Sequence, residues 1–336
     1  MTINEIAAMA DVSRATVSRY LNNGYVSAEK KERIRRVIEE TGYRPSIQAQ
    51  LLRAKRTGFI AVIVPQISQT SVSRMVQGIC SVLNKRNYQV LLLDTGNDIK
   101  EELSQLKRLN QNHADGIIFT GTFFSKEHYR VMKEIQIPFV VLSQHVKDYS
   151  CVYDDDYGAA KELTKLALAE GENSAYIGTV AEDETVGRER LYGFLDANLE
   201  LERPIREEYC ITGAFTMEEG FESAKRLFAM DSTIDTLICA TDTIAMGAMM
   251  YIKELGKKIP QEVQIAGFGD SPMSRVCEPR LTTVHYYDET SGEEAAKMLA
   301  DMIEAETMVR KEMKMGCRIM EGGSLRNRKK SISSLD

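Results

Sequence analysis

The sequence predicts an all-α helix-turn-helix head followed by an α/β body of two doubly wound parallel-sheet lobes. Three observations predict it. Residues 2–42 read as three short helices, the first two with capped starts. From residue 58 onward, short apolar runs alternate with helical stretches, the pattern of buried parallel strands joined by crossover helices. These runs outnumber what one small sheet needs, and 336 residues leave room for more than one core.

The head opens with "TINEIAAMA". Thr2 and Glu5 have the spacing of a capping box, in which each side chain satisfies the other residue's backbone N–H. Ile3, Ile6, Ala7 and Ala10 then share one helical face. Asp11 falls in the turn, where a left-handed residue is often needed and Asp is tolerated better than most. Ser13 is placed to N-cap a second helix. In that helix Val12, Val17 and Leu21 face inward, and Arg14, Ala15, Ser18, Arg19 and Asn22 face outward. A third helix follows Ser27, with Ile34, Val37 and Ile38 as its buried stripe and Gly42 as its stop.

Two short helices around a tight turn, the second with outward arginines, suit entry into a DNA major groove. Arginine can bond guanine O6 and N7 with both arms of its fork. A small alanine lets the backbone come close. Hydroxyls and a helix N-terminus suit phosphates. A bundle with an ordinary solvated face would carry a similar pattern, so the residues alone leave both readings open.

The charge is unevenly distributed. Residues 1–57 hold eleven Lys or Arg against six Asp or Glu, although the whole chain carries −6. A basic head on an acidic body still attracts a polyanion, because screening confines the attraction to about 10 Å. The six cysteines are scattered without a C-x-x-C, which points to a reducing compartment with neither disulfides nor a zinc site. The start lacks the basic and apolar regions of a secretory signal, and no run reaches the ~18 apolar residues of a membrane span. A cytoplasmic chain without membrane contact is therefore expected.

In the body the strand candidates are "FIAVIVP", "YQVLLLD", "ADGIIFTG", "PFVVLS", "SAYIG", "REEYCIT", "TLICATD", "VQIAGFGD" and "LTTVHY". In open parallel sheets, ligands bind beyond the carboxyl ends of the strands, which here means a cleft between the lobes. Phosphate-loop, nucleophile-elbow and H-E-x-x-H motifs are missing, so neither an enzyme nor a cofactor is expected. "YDDDYG" at 153–158 reads either as helix capping after a strand or as a metal site.

The head closely resembles that of the LacI/GalR family of bacterial transcription regulators. The resemblance rests on T-I-x-x-I-A at Thr2, V-S-x-x-T-V-S-R-x-L-N at Val12 and G-Y-x-P at Gly42. Asp11 departs from the glycine usual in the family's turn. The resemblance implies base reading by Arg14, Ala15 and Arg19, and DNA-backbone contacts from Ser13, Thr16, Ser18, Asn22, Tyr25 and Tyr43. It also implies a hinge helix in the linker 45–57, with Ala49 and Leu52 in the minor groove. Ser46 and Gln50 replace the family's usual Asn and Arg there.

The resemblance extends to the body at 58–326, which is similar to periplasmic sugar-binding proteins. It implies a first lobe of about 58–155 plus 288–315 and a second of about 156–284 plus 316–326. Arg190 in "VGRERLYGF" stands where the family aims an arginine into the cleft. Further effector candidates are Gln66, Ser68, Gln69, Ser143, Phe215, Thr241, Asp242, Asp270 and Tyr286, with Gln144 beside Ser143. "GFGD" puts Gly269 where many members have Asp. Ser71 and Val72 stand where many have an aromatic pair, which disfavours a flat purine.

A sugar or sugar phosphate is therefore the expected effector, with sucrose or a related oligosaccharide as the example. The DNA partner is expected to be a near-palindromic double-stranded operator. The tail 327–336 lacks leucine heptads, so a homodimer is expected. The alternative is a catabolite-control regulator triggered by a protein co-effector.

Overall fold

The computed structural model describes residues 1–21, 24–43, 56–110, 114–180, 183–305 and 309–326. Asn22, the hinge positions Ala49 and Leu52, and the tail lie outside the described residues. The chain divides into two compact units, Met1–Gly58 and Phe59–Asp336.

The first unit holds α1 (Ile3–Met9), α2 (Arg14–Leu21) and α3 (Ala28–Thr41). The capping box forms: Thr2 N–H donates to Glu5 Oε2 at 2.7 Å and Glu5 N–H to Thr2 Oγ1 at 3.4 Å. Ile6, Ala7, Ala10, Val17, Ile34 and Val37 close a small core, with Ile3, Val12, Leu21 and Ile38 packed against it. Gly42 ends α3 in a left-handed conformation, φ 62°.

Asp11 adopts φ 48°, the left-handed turn the sequence asked for. A non-glycine residue there costs about 1–2 kcal/mol. In return Asp11 accepts from Arg33 at 3.2 Å, but its side chain is 94% exposed, so that pair contributes little. Asp11→Gly is therefore expected to stabilise the head by up to about 1 kcal/mol, after the unfolded chain's extra freedom is counted. Amide exchange of α1–α3 checks this, and faster exchange in the variant would show that the Arg33 contact outweighs the strain.

The second unit carries two six-stranded sheets. The first lobe orders its strands β11-β5-β4-β3-β1-β2 and the second β12-β10-β9-β8-β6-β7. In chain order these are β1 (Phe59–Val64), β2 (Gln89–Asp94), β3 (Gly116–Phe119), β4 (Phe139–Leu142), β5 (Ser150–Asp154), β6 (Ser174–Thr179), β7 (Cys210–Gly213), β8 (Thr236–Cys239), β9 (Gln264–Phe268), β10 (Thr282–Tyr286), β11 (Glu312–Met315) and β12 (Cys317–Met320). All neighbours pair in parallel except β10 with β12.

The chain crosses between lobes three times, after β5, after β10 and between β11 and β12. The first lobe buries apolar side chains on both faces of its sheet. One face packs α4 (Thr70–Lys85) and α12 (Asp288–Glu304), and the other packs α5 (Ile99–Leu109) and α6 (Lys126–Glu134). Helices α4 and α12 approach closely because Gly78 faces Glu289 and Gly292 faces Met75; a Cβ at either glycine would collide with the opposite backbone. The second lobe packs α7 (Asp156–Leu168), α8 (Arg190–Glu200), α9 (Met217–Met230) and α10 (Asp242–Glu254) around one core, and the short α11 (Pro272–Val276) follows β9.

Each of the nine apolar runs contains a strand, with three corrections. The run "REEYCIT" begins as a 3₁₀ turn over Glu207–Tyr209 and becomes strand only at Cys210. Strand β2 was expected to be buried on both faces, but it lies at the sheet edge with Leu91 and Leu92 exposed. Strands β5, β11 and β12 were not among the candidates. β11 and β12 are four-residue edge strands with polar residues interleaved, too short and too polar for an apolar-run criterion.

Candidate functional site

In the head, Ser13 precedes α2 and accepts from Thr16 N–H at 3.2 Å, while the two hydroxyls lie 2.9 Å apart. This cap fixes the start of the helix. Positions 14, 15, 18 and 19 then fall on one helical face. Arg14, Ala15 and Arg19 are exposed, Ser18 is half-buried, and Val17 on the opposite face is fully buried. Among the described residues neither arginine has a side-chain partner, so both guanidiniums are available. Tyr25 is exposed, whereas Tyr43 packs against the small core.

In the body, Arg190 opens α8 directly after a π-helical turn, Glu184–Glu189. Its side chain is buried. Nε donates to Asp156 Oδ1 at 2.6 Å and Nη1 to the carbonyl of Ala240 at 2.6 Å. The guanidinium lies 4.9 Å from the centre of the Phe268 ring and 5.1 Å from that of Tyr286. Tyr286 Oη–H donates to the same Asp156 oxygen at 2.8 Å. Arg190 thus ties α7, α8 and the ends of β8, β9 and β10 together.

Several other effector candidates are already engaged. Thr241 caps α10 by accepting from Ile244 N–H at 3.2 Å. Asp242 accepts from Thr283 Oγ1 at 2.5 Å and Ser271 N–H at 2.7 Å, and burial pushes its carboxyl up. Asp270, displaced by one residue from the family position, turns inward at φ 44°. Its carboxylate takes Arg275 at 2.6 Å and His285 at 2.9 Å. Burial opposes ionisation there, but Arg275 and His285 win and hold the carboxyl below its ordinary value. Asp242, expected either to face the cleft or to cap the next helix, and Asp270 thus both have their carboxylates engaged within the second lobe.

Ser143 has φ 73° and bonds Met75 Sδ at 3.1 Å. Gln66 and Ser68 are exposed, Gln69 is half-buried, and Phe215 is exposed.

A cavity of about 580 Å³ opens beyond the carboxyl ends of β3, β4 and β5. Phe124, Gln144 and Tyr153 line it from the first lobe, and Asp156, Glu184 and Glu189 from the second. Of the effector candidates named from sequence, Gln144 lines it and the others do not, although Arg190's partner Asp156 does. Gln144 spans the lobes, donating to Asp183 Oδ1 at 3.3 Å. The run "YDDDYG" supplies three carboxylates to the cavity wall. Asp155 caps α7 by accepting from Gly158 N–H at 3.0 Å, which satisfies the capping reading of that run. No group of residues that would hold a metal is found among the described residues.

A second link between lobes runs through Arg74 of α4. It donates to the carbonyls of Gly269 and Asp270 at 3.4 and 3.3 Å and faces Asp288 at 3.5 Å. Burial pushes the Asp288 carboxyl up to about 6, with Arg74, His285 and Arg190 pulling the other way. The unfolded value is about 4. A raised folded-state value means that this group's stabilisation is complete below about pH 4 and is lost as pH rises through about 6. Asp288→Asn is expected to remove that part of the decline. Urea unfolding at pH 4, 5, 6 and 7 tests it, and parallel profiles for both proteins would refute the assignment.

Both units of the chain match known families. Residues 2–46 match the model of bacterial regulatory proteins of the lacI family, and residues 57–321 match that of periplasmic binding proteins and the sugar-binding domain of the LacI family. The sucrose operon repressor of Staphylococcus xylosus is 32% identical over 303 residues, covering 90% of this chain and 93% of the relative. Among solved structures, the transcriptional regulator CelR–cellobiose complex is 25% identical with a TM-score of 0.75, covering 96% of this chain and 99% of that one. The Lac repressor dimer bound to operator and the anti-inducer ONPF has a TM-score of 0.81 over 96% of this chain and 98% of its own; at 19% identity it speaks for the fold alone.

Proposed function

The chain belongs to the LacI family of bacterial regulatory proteins, and from that premise we propose an operator-binding repressor of a carbohydrate-utilisation operon whose DNA affinity is set by a sugar held between the lobes. The observation that carries the DNA half is the free face of α2. Arg14, Ala15, Ser18 and Arg19 stand together on a capped helix over a closed core, with two guanidiniums uncommitted. Arg14 and Arg19 read bases. Ser13, Thr16, Ser18, Asn22, Tyr25 and Tyr43 serve the phosphates, and Ala49 and Leu52 serve the minor groove.

Sugar control draws support from the sugar-binding domain match, from relatives named for sugars, and from a cavity shared by both lobes. A ligand bridging the lobes shifts DNA affinity only as far as it prefers one lobe arrangement over the other. Arg190 and Tyr286 act in this reading by orienting Asp156. Gln66, Ser68 and Gln69 follow β1, Ser143 follows β4, Phe215 follows β7 and Thr241 follows β8, and all remain candidates.

The protein acts as a homodimer in the cytoplasm. Among the described residues no helix is long and apolar enough to cross a membrane. The open edge of strand β2, with Leu91 and Leu92 partly exposed on its two faces, is suited to a second copy. A DNase footprint over the DNA upstream of the gene is expected to protect two half-sites about one helical turn apart. Protection without a repeated half-site would contradict the dimeric reading.

A further inference from the structure

We propose that Arg74 is a strut that sets the angle between the two lobes, and that operator affinity depends on whether this strut is engaged. Its role in control rests on the reading above, in which DNA affinity follows the lobe arrangement; the strut itself is the contact that holds one arrangement in this chain.

Arg74 is anchored in a rigid part of the first lobe. It belongs to α4, one position before Met75, and the Met75 carbonyl lies against Gly292 of α12. Gly78, one turn on, meets the Glu289 carbonyl in the same way. Backbones this close cannot slide past one another, so α4 and α12 move as one plate. The chain enters α12 at Asp288, directly after crossing from β10, so the plate hangs from a crossover about which the lobes turn.

The second lobe presents two fixed acceptors to this plate. Arg74 Nη1 donates to the Gly269 carbonyl at 3.4 Å and Nη2 to the Asp270 carbonyl at 3.3 Å. The backbone there is unusual, with φ 126° at Gly269 and 44° at Asp270. Such a conformation at a non-glycine residue persists only where the surroundings over-determine it. Here Asp270 N–H donates to Thr283 Oγ1 at 3.3 Å, and its carboxylate takes Arg275 and His285. Both carbonyls are thereby held toward α4, and the planar fork of a guanidinium suits two acceptors at once.

Charge gives the contact its weight. Nη1 also faces the buried Asp288 at 3.5 Å, and the Arg74 side chain is only 26% exposed, so water and salt screen the pair less than a surface pair. The other polar link between lobes is weaker. Gln144 offers a neutral amide to Asp183 Oδ1, which already accepts from Thr185 N–H, Thr185 Oγ1–H and Val186 N–H. All three Arg74 contacts are long, between 3.3 and 3.5 Å. They bias the lobe angle without locking it, which is what a ligand-shifted equilibrium requires.

The test measures the distance between lobes in the full-length protein. Nitroxides carried on a keto amino acid replace the exposed Lys107 of α5 and Lys225 of α9, so the six native cysteines stay unlabelled. Labelled chain is diluted in excess unlabelled chain, and each distance then comes from one molecule. Asp288→Asn is the reference, because it keeps both carbonyl bonds. Arg74→Met combined with Asp288→Asn removes the strut without leaving a buried charge unpaired. Double electron–electron resonance is expected to give the reference the distribution of the wild type, and to give the double variant a broadened or displaced one at the same melting temperature. Fluorescence anisotropy with a labelled palindrome from the DNA upstream of the gene is expected to give the two variants operator affinities about five-fold or more apart, the sign telling which arrangement DNA prefers. Superimposable distributions overturn the strut. A changed distribution with a lowered melting temperature makes Arg74 a packing residue and overturns it too. Changed distances with a smaller difference in operator affinity overturn its control of DNA binding. A wild type that does not select the palindrome contradicts the operator reading instead, and the distances alone then decide the strut.

Discussion

Replacing Arg190 with alanine is expected to destabilise the body by about 3–5 kcal/mol, the largest effect of any single change considered. The reason is what the substitution leaves behind. Asp156 would stay buried with Tyr286 Oη–H as its remaining side-chain donor, and the Ala240 carbonyl would lose its partner. The stacking of the guanidinium on Phe268 and Tyr286 would be lost as well. Arg190→Lys keeps the charge but cannot reach Asp156 and Ala240 at once, so it should recover only part of the loss. Changing Asp156 to Leu in the Arg190→Ala background removes the orphaned charge and should recover more. Urea unfolding of the four proteins measures this. A loss below about 1 kcal/mol in Arg190→Ala would mean that the pair adds nothing beyond a surface ion pair.

Replacing Arg14 with alanine is expected to weaken operator binding by about 1–3 kcal/mol and to relax preference at one base pair in each half-site. The effect is specific because Arg14 is exposed and, among the described residues, has no side-chain partner whose loss would unfold the head. Its neighbour Val17 holds the core instead. Binding to scrambled DNA should change far less than binding to operator. An equal loss on both would make Arg14 a phosphate contact, since phosphate attraction does not depend on sequence.

The head was nearly all legible in the sequence, because its signals are local. A capping box, an N-cap and a stripe at helical spacing each act within four residues, and α1–α3 follow them. The body's central strands were legible for a similar reason: a continuous apolar run declares a strand buried on both faces. The edges were not. Strands β11 and β12 gain their place from pairing with β5 and β10, far away in sequence.

The cleft shows the same divide. "VGRERLYGF" pointed to Arg190, but no local signal told that Asp156, 34 positions earlier, would hold it at 2.6 Å. The run "YDDDYG" was read as capping or a metal site, and the Oδ1 of Asp154, unpartnered among the described residues, shows only once burial is known. Asp270, a polar residue at a strand end, has partners in Arg275 and His285 that no local signal announced.

The most direct test of coupled DNA and sugar binding is fluorescence anisotropy of a labelled palindrome from the DNA upstream of the gene, at fixed salt, with and without sucrose or cellobiose. The account predicts tight, sequence-selective binding that one such sugar shifts by about five-fold or more, the lower end of allosteric coupling. Selective binding that no sugar alters would contradict control through the cleft, and binding without sequence preference would contradict the role given to α2.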